Sequence, residues 1–200
     1  MTTGWRRENI AYNLFGLPES EKVTIPGLAS KTLTYGYDDN LNPTGWKESS
    51  NPSTGVMISN NALNMPASVS FNQTAVVSAA SYGPNKMPST ITFGNTTAYS
   101  AVYNNAGMLT NAALTRGGTT LYDAGYEYDG AGNILSITST APALTATFGY
   151  DPLNRLTSAA YSSGSPATYA YEYDEYGNMR KAWNGGSCVF DKSYTIQNRI

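Results

Sequence analysis

The chain alternates between short runs in which aromatic residues recur at every second position and short clusters of Asp, Asn and Gly. Tyr35 with Tyr37, Tyr126 with Tyr128, Phe148 with Tyr150 and Tyr171 with Tyr173 are each two residues apart, so each pair shares one face of an extended strand. Behind the later pairs stand Asp129 and Gly132, Asp151 and Asn154, Asp174 and Gly177. An Asp side chain accepts a bond from the backbone two residues on, and Gly or Asn supplies a positive φ, so the chain reverses within a few residues. The segments that follow, ILSIT (134–138), RLTSAAY (155–161) and MRKAW (179–183), are alternating and rich in Leu, Ile and Thr, as a returning strand should be. The pattern predicts strand, turn, strand, turn, with no helix.

This pattern is periodic. YDGAGNI at Tyr128, YDPLNRL at Tyr150, YDEYGNM at Tyr173 and YTIQNRI at Tyr194 share a Tyr, an Asn or Arg five places on and an aliphatic residue at six. The same register continues backward through YNNAGML at Tyr103, YGPNKMP at Tyr82, NNALNMP at Asn60, YDDNLNP at Tyr37 and YNLFGLP at Tyr12. The eight intervals average 22.75 residues. Two strands of about 6 residues and two connections of about 4 to 5 fill such a unit without a helix. The expected fold is all-β: antiparallel hairpin repeats of about 22 residues forming an elongated, coiled sheet of up to ~18 strands, stabilised by neighbour-on-neighbour stacking. Residues 1–99 carry degenerate units, several with Pro at the sixth place, and residues 100–200 carry well-matched ones. The expectation is one continuous array with no separate second domain.

Composition narrows the chemistry. There is no His and a single Cys, Cys188, which excludes His-based nucleophile activation, an internal disulfide and a four-ligand zinc site. Cys188 is read as a small buried apolar residue. Lys and Arg number 12 against 14 Asp and Glu, a net charge of -2, too weak a field to capture nucleic acid. Ser, Thr and Asn together make 62 of 200 residues, so polarity is carried by neutral groups. The N-terminal stretch before Pro18 lacks the apolar core of a signal peptide, and no apolar run is long enough to span a bilayer as a helix. Neither an export signal nor membrane insertion is expected.

The units YEYDGAGNI (126–134), FGYDPLNRL (148–156) and YEYDEYGNM (171–179) resemble the YD-repeat, or Rhs-repeat, family, which includes bacterial polymorphic Rhs toxins, toxin-complex C subunits and the animal teneurins. The resemblance implies repeats wound into a large hollow β-shell, which in the toxins encloses a C-terminal effector domain. The repeat-defining residues are then Tyr37, Asp38, Tyr82, Tyr103, Gly107, Tyr128, Asp129, Gly132, Asn133, Tyr150, Asp151, Asn154, Arg155, Tyr173, Asp174, Gly177, Asn178, Tyr194, Asn198 and Arg199. The family's core segment, where toxins cleave themselves, has no counterpart here, and both ends read as cut inside a unit.

Two chemical readings compete with a structural one. Glu127 with Asp129 and Glu172 with Asp174 place carboxylates on one strand face, as a glycosidase requires, but each pair straddles a repeat-defining Tyr and is read as turn chemistry. The Asp-rich turns lack the denser ligands and closing Glu of a calcium loop. Trp46, Tyr161, Tyr169, Tyr176 and Trp183 are candidates for stacking on sugar rings if exposed. The sequence therefore predicts a non-enzymatic shell segment with no cofactor, whose partners are a polypeptide cargo or further repeats of a larger secreted or cell-surface protein. The alternative is an extracellular module binding carbohydrate or protein. Open strand edges would favour self-association.

Overall fold

The computed structural model describes residues 4–162 and 166–193. Every regular element among them is a β-strand. The chain divides into two compact units, Met1–Ala98 and Tyr99–Ile200. The first holds β1 (Arg6–Tyr12), β2 (Pro18–Thr24), β3 (Lys31–Tyr37), β4 (Pro43–Glu48), β5 (Asn51–Asn60), β6 (Pro66–Phe71), β7 (Thr74–Tyr82) and β8 (Pro88–Phe93). The chain passes to the second through β9 (Thr97–Tyr103), followed by β10 (Leu109–Arg116), β11 (Thr119–Tyr128), β12 (Ile134–Thr140) and β13 (Ala143–Tyr150). It ends with β14 (Leu156–Tyr161), β15 (Ala167–Tyr173), β16 (Met179–Asn184) and β17 (Ser187–Asp191).

Within each unit, each strand pairs with its neighbour in sequence. In the first unit β1 to β8 form an antiparallel meander. In the second, β9 pairs with β10, and β10 to β17 continue antiparallel. Successive connections alternate between two kinds. One kind follows the repeat marks; the other is tight, as at Gly117-Gly118 and Gly185-Gly186, where all four residues have positive φ between 55° and 86°. Such mirror-image turns match the twist of antiparallel strands and favour Gly.

Alternation decides what is buried. In the second unit Tyr126 and Tyr128, Phe148 and Tyr150, and Tyr169, Tyr171 and Tyr173 share one face, with Thr, Gly, Ala and acidic residues making up most of the other. On the aromatic face the buried apolar residues are all alanines: Ala101, Ala112, Ala124, Ala146, Ala159 and Ala182. Ala112 lies opposite Ala124 in the ladder, Ala146 opposite Tyr161, Ala159 opposite Tyr169 and Ala182 opposite Tyr171. Rings lean over these small residues and meet edge to face: Phe148 and Tyr161 at 6.3 Å, Tyr161 and Tyr169 at 6.0 Å. Such pairs contribute about 0.5–1.5 kcal/mol beyond the area they bury. No large side chain among the described residues is fully buried, as expected of a single layer of sheet.

The first unit buries different chemistry. Its buried polar residues are Glu21, Glu48 and Thr97. Glu21 accepts from Arg7 Nε at 2.5 Å and from the Tyr35 hydroxyl at 2.6 Å. Glu48 pairs with Lys31 Nζ at 2.6 Å and accepts from the Ser50 hydroxyl. Cys188 corrects a sequence expectation: it is exposed. It sits on β17, the last strand of the meander, where only one neighbouring strand covers it among the described residues.

Candidate functional site

Eight copies of one turn occupy the eight repeat marks among the described residues. At Asp129 the carboxylate Oδ1 accepts the backbone N–H of Ala131 and of Asn133, both at 2.9 Å. The Asp129 N–H donates to the Asn133 carbonyl at 2.9 Å, and the Gly132 N–H returns to the Asp129 carbonyl at 3.1 Å. Gly132 has φ +90, a region in which a Cβ is strained. The same bonds recur at Asp38, Asp151 and Asp174. Asn13, Asn61 and Asn104 make them with an amide oxygen. At Gly83, which has no side chain, Asn85 Oδ1 takes the Met87 N–H at 3.1 Å instead.

The residue at the fifth place adds a second bond. Asn133 Nδ2 donates to Asp129 Oδ2 at 2.8 Å, Asn178 Nδ2 to Asp174 Oδ2 at 2.9 Å, and Arg155 Nε to Asp151 Oδ2 at 2.7 Å. These contacts set the electrostatics. The Asn133 and Asn178 side-chain amides hold Asp129 and Asp174 below the usual carboxylate range, as Asn42 does Asp38. Asp151 is lowered by the Arg155 backbone and then by its guanidinium.

The mark residues also join one unit to the one before it. The hydroxyl of Tyr128 donates to the Leu109 carbonyl at 2.7 Å, Tyr150 to Ile134 at 3.0 Å and Tyr173 to Leu156 at 2.9 Å. In the first unit Tyr37 reaches Pro18 at 2.9 Å and Tyr82 reaches Pro66 at 2.7 Å. Asn60, which stands where a Tyr is usual, sends Nδ2 to the Pro43 carbonyl at 3.2 Å. In every case the acceptor lies six residues after the preceding mark. Neighbouring turns touch as well: Asn133 Nδ2 bonds Asn154 Oδ1 at 2.9 Å. Arg155 Nη1 bonds the Asp174 carbonyl at 3.0 Å while its guanidinium lies 4.8 Å from the centre of the Tyr173 ring.

The structure thus brings Tyr37, Asp38, Tyr128, Asp129, Gly132, Asn133, Tyr150, Asp151, Asn154, Arg155, Tyr173, Asp174, Gly177 and Asn178 into repeated turns, with Gly107 at the same step of the Asn104 turn. Tyr194, Asn198 and Arg199 lie outside the described residues. Of the five candidate stacking aromatics only Tyr176 is exposed; Trp46, Tyr161, Tyr169 and Trp183 are half-buried. The paired carboxylates do not converge as catalytic pairs: Asp129 and Asp174 are engaged in turns, Glu127 accepts from Ser136 at 2.8 Å and Glu172 faces Arg180 at 3.5 Å. Sequence reasoning missed Asp123, whose Oδ1 accepts the N–H groups of Thr140 and Ala141 at 2.9 and 2.7 Å and so ties the β12–β13 connection.

An antiparallel sheet built from such clamped hairpins is a structural repeat array, and its fold is found in toxin complexes. A Tc holotoxin pore of Photorhabdus luminescens carrying a TccC3 mutation superposes with a TM-score of 0.69 at 16% identity, over 90% of this chain and 11% of that one. A TcdB2-TccC3-Cdc42 structure gives 0.70 at 16% identity, over 92% and 11%. TcdB2-TccC3 without its hypervariable C-terminal region gives 0.68 at 16% identity, over 90% and 11%. The chain therefore spans about a ninth of the length of these proteins. No curated protein sequence is significantly similar to it. Residues 128–166 match the RHS repeat family.

Proposed function

We propose that this chain is a non-catalytic wall segment of an Rhs-type β-shell that encloses a polypeptide within a larger secreted protein. The observation that carries the reading is the combination of one turn repeated at every described mark with a bond from six of the mark residues back to the preceding unit. That arrangement spends its carboxylates on backbone geometry and extends a sheet by repetition. The single layer of sheet supports the reading too, since a wall needs two faces and no second layer. TcdB2 and TccC3 stand together in the similar structures, and the enclosing role is transferred from the family to this chain.

The test begins with the reading frame on both sides of the chain. Further YD units followed by a variable segment are expected. The complete product is then digested with protease before and after denaturation. Survival of the variable segment until the sheet is unfolded supports enclosure; equally fast digestion in both states overturns it.

A further inference from the structure

The second unit carries a hollow that the repeat architecture does not require. It measures about 570 Å³, opens to solvent and is lined by Met108, Thr110, Glu127, Asp129, Gly130 and Leu135 together with flanking residues of the same strands and turns. Glu127 alternates with Tyr126 and Tyr128 along β11, and so stands on the face opposite the rings. Gly130 adds no side chain to the rim, and nothing lies within 4 Å of where its Cβ would stand. Met108 and Leu135, the latter 40% exposed, supply apolar wall.

Charge in the hollow is unbalanced. Glu127 Oε2 accepts from the Ser136 hydroxyl at 2.8 Å, and Oε1 accepts from no group among the described residues. Asp129 is held by backbone N–H groups and by the Asn133 amide. Neither carboxylate has a cationic partner among the described residues, whereas Glu8, Glu21, Glu48, Asp151, Glu172 and Asp191 each have one.

Other units show what is missing. There the residue seven places after a mark lies over the residue one place before it. The Thr44 hydroxyl stands over Gly36, Thr157 Oγ1 lies 3.7 Å from where a Gly149 Cβ would be, and Arg180 Nη2 is 3.5 Å from Glu172 Oε2. Of the eight described marks only two are preceded by an acid, Glu127 and Glu172. Seven places after those marks stand Leu135 and Arg180. One acid therefore has a guanidinium from its own unit, and the other has an apolar neighbour and open space.

A guanidinium matches a carboxylate through its planar fork, and its weak hydration lets it and its stem lie on apolar side chains. We propose that this hollow receives an arginine side chain of another polypeptide, with the guanidinium on Glu127 and the stem along Leu135 and Met108. The space exceeds one side chain and admits the residues that flank the arginine as well.

The full 200-residue chain is titrated by NMR with end-blocked Gly-Arg-Gly and, separately, with Gly-Lys-Gly and Gly-Gln-Gly. Saturable shifts at the Glu127 and Gly130 amides and the Met108 methyl are expected from the arginine peptide. The lysine peptide should bind roughly threefold more weakly or worse, and the glutamine peptide not at all. Glu127→Gln keeps an acceptor for Ser136 but removes the charge, and should weaken arginine binding about tenfold. Leu135→Arg should abolish it, because the unit then supplies its own guanidinium as Arg180 does at Glu172. Leu135 is exposed, so the longer side chain is tolerated, and unchanged circular dichroism of both variants guards against a folding artefact. Absence of saturable shifts with the arginine peptide, equal binding of the lysine or glutamine peptide, or binding unaltered in either variant overturns the proposal. Because the hollow is read on this chain alone, its failure leaves the shell reading untouched, and failure of the protease test leaves the hollow standing.

Discussion

The two halves build the same turn from different residues, and the difference separates what the turn needs from what merely accompanies it. At the sixth place after the mark the first half has Pro18, Pro43, Pro66 and Pro88, while the second has Leu109, Ile134, Leu156 and Met179. Proline has no N–H to give, yet the turns of both halves carry the same backbone bonds. The motif therefore requires the carbonyl at this place, which the next unit's Tyr uses, and does not require the N–H. At the fourth place Gly16, Gly107, Gly132 and Gly177 take positive φ, but so do Leu41 at 64° and Lys86 at 60°. Nine places after the mark, Ala112, Ala159 and Ala182 are buried in the second half where Glu21 is buried in the first. A small apolar residue and a paired acid are two solutions to one crowded position.

That last contrast gives the largest expected effect. Ala159→Glu places a charge at 3% exposure where Tyr171 holds the place of Tyr35 but Thr145 stands at the place of Arg7, so the acid has no cation, and it should destabilise the second half by about 3 kcal/mol or more. Chemical denaturation of the variant checks it, and a loss under about 1 kcal/mol would show that the position is open to water.

The next effect is spread over three sites. Asp129, Asp151 and Asp174 are all held below the ordinary carboxylate range in the folded chain, so their contribution is complete above the unfolded value of roughly 4 and is lost as pH falls from there through the folded values. Asn13, Asn61 and Asn104 support the same turn without titrating. A triple Asp→Asn variant should therefore show a lower acid-unfolding midpoint than the parent, read by circular dichroism, and an unchanged midpoint would mean that other carboxylates govern acid unfolding.

Single-turn changes follow. Tyr150→Phe removes only the bond to the Ile134 carbonyl and should cost about 1 kcal/mol, with amide exchange quickening at that junction. Gly132→Val should cost about 1 kcal/mol or more through backbone strain, since a Cβ there meets only the Met108 sulfur at 3.6 Å. The smallest effect has the opposite sign: Lys86→Gly should stabilise by about 0.5–1 kcal/mol by relieving a left-handed residue. A neutral or negative result in a thermal melt would show that Lys86 makes contacts worth as much as the strain.

Much of this was legible in the sequence. The marks from Tyr12 to Tyr173 fall on real turns, and Asp-to-backbone bonding and the Gly and Asn conformations follow from local chemistry. Local chemistry is also where legibility stopped. Periodicity says that a Tyr recurs but not which atom its hydroxyl meets, because the acceptor lies 16 to 19 residues earlier. Its recurring distance to the residue at the sixth place was the available signal. Leu41 and Lys86 escaped because neighbouring units impose the turn against intrinsic preference. Glu21 escaped because its partners Arg7 and Tyr35 are each 14 residues away, on opposite neighbouring strands. Cys188 was misread because composition carries no information on whether a strand lies in the middle of a sheet or at its end.

The backward bonds of the mark residues also bear on how such a chain changes length over time. Every described bond of this kind reaches the unit immediately before and no further. Excising or duplicating one whole period of about 22 residues therefore leaves every hydroxyl an equivalent carbonyl at the new junction, and no buried donor is orphaned. A gene encoding such an array can grow or shrink by unequal recombination in steps of one repeat, with each intermediate length as foldable as the last.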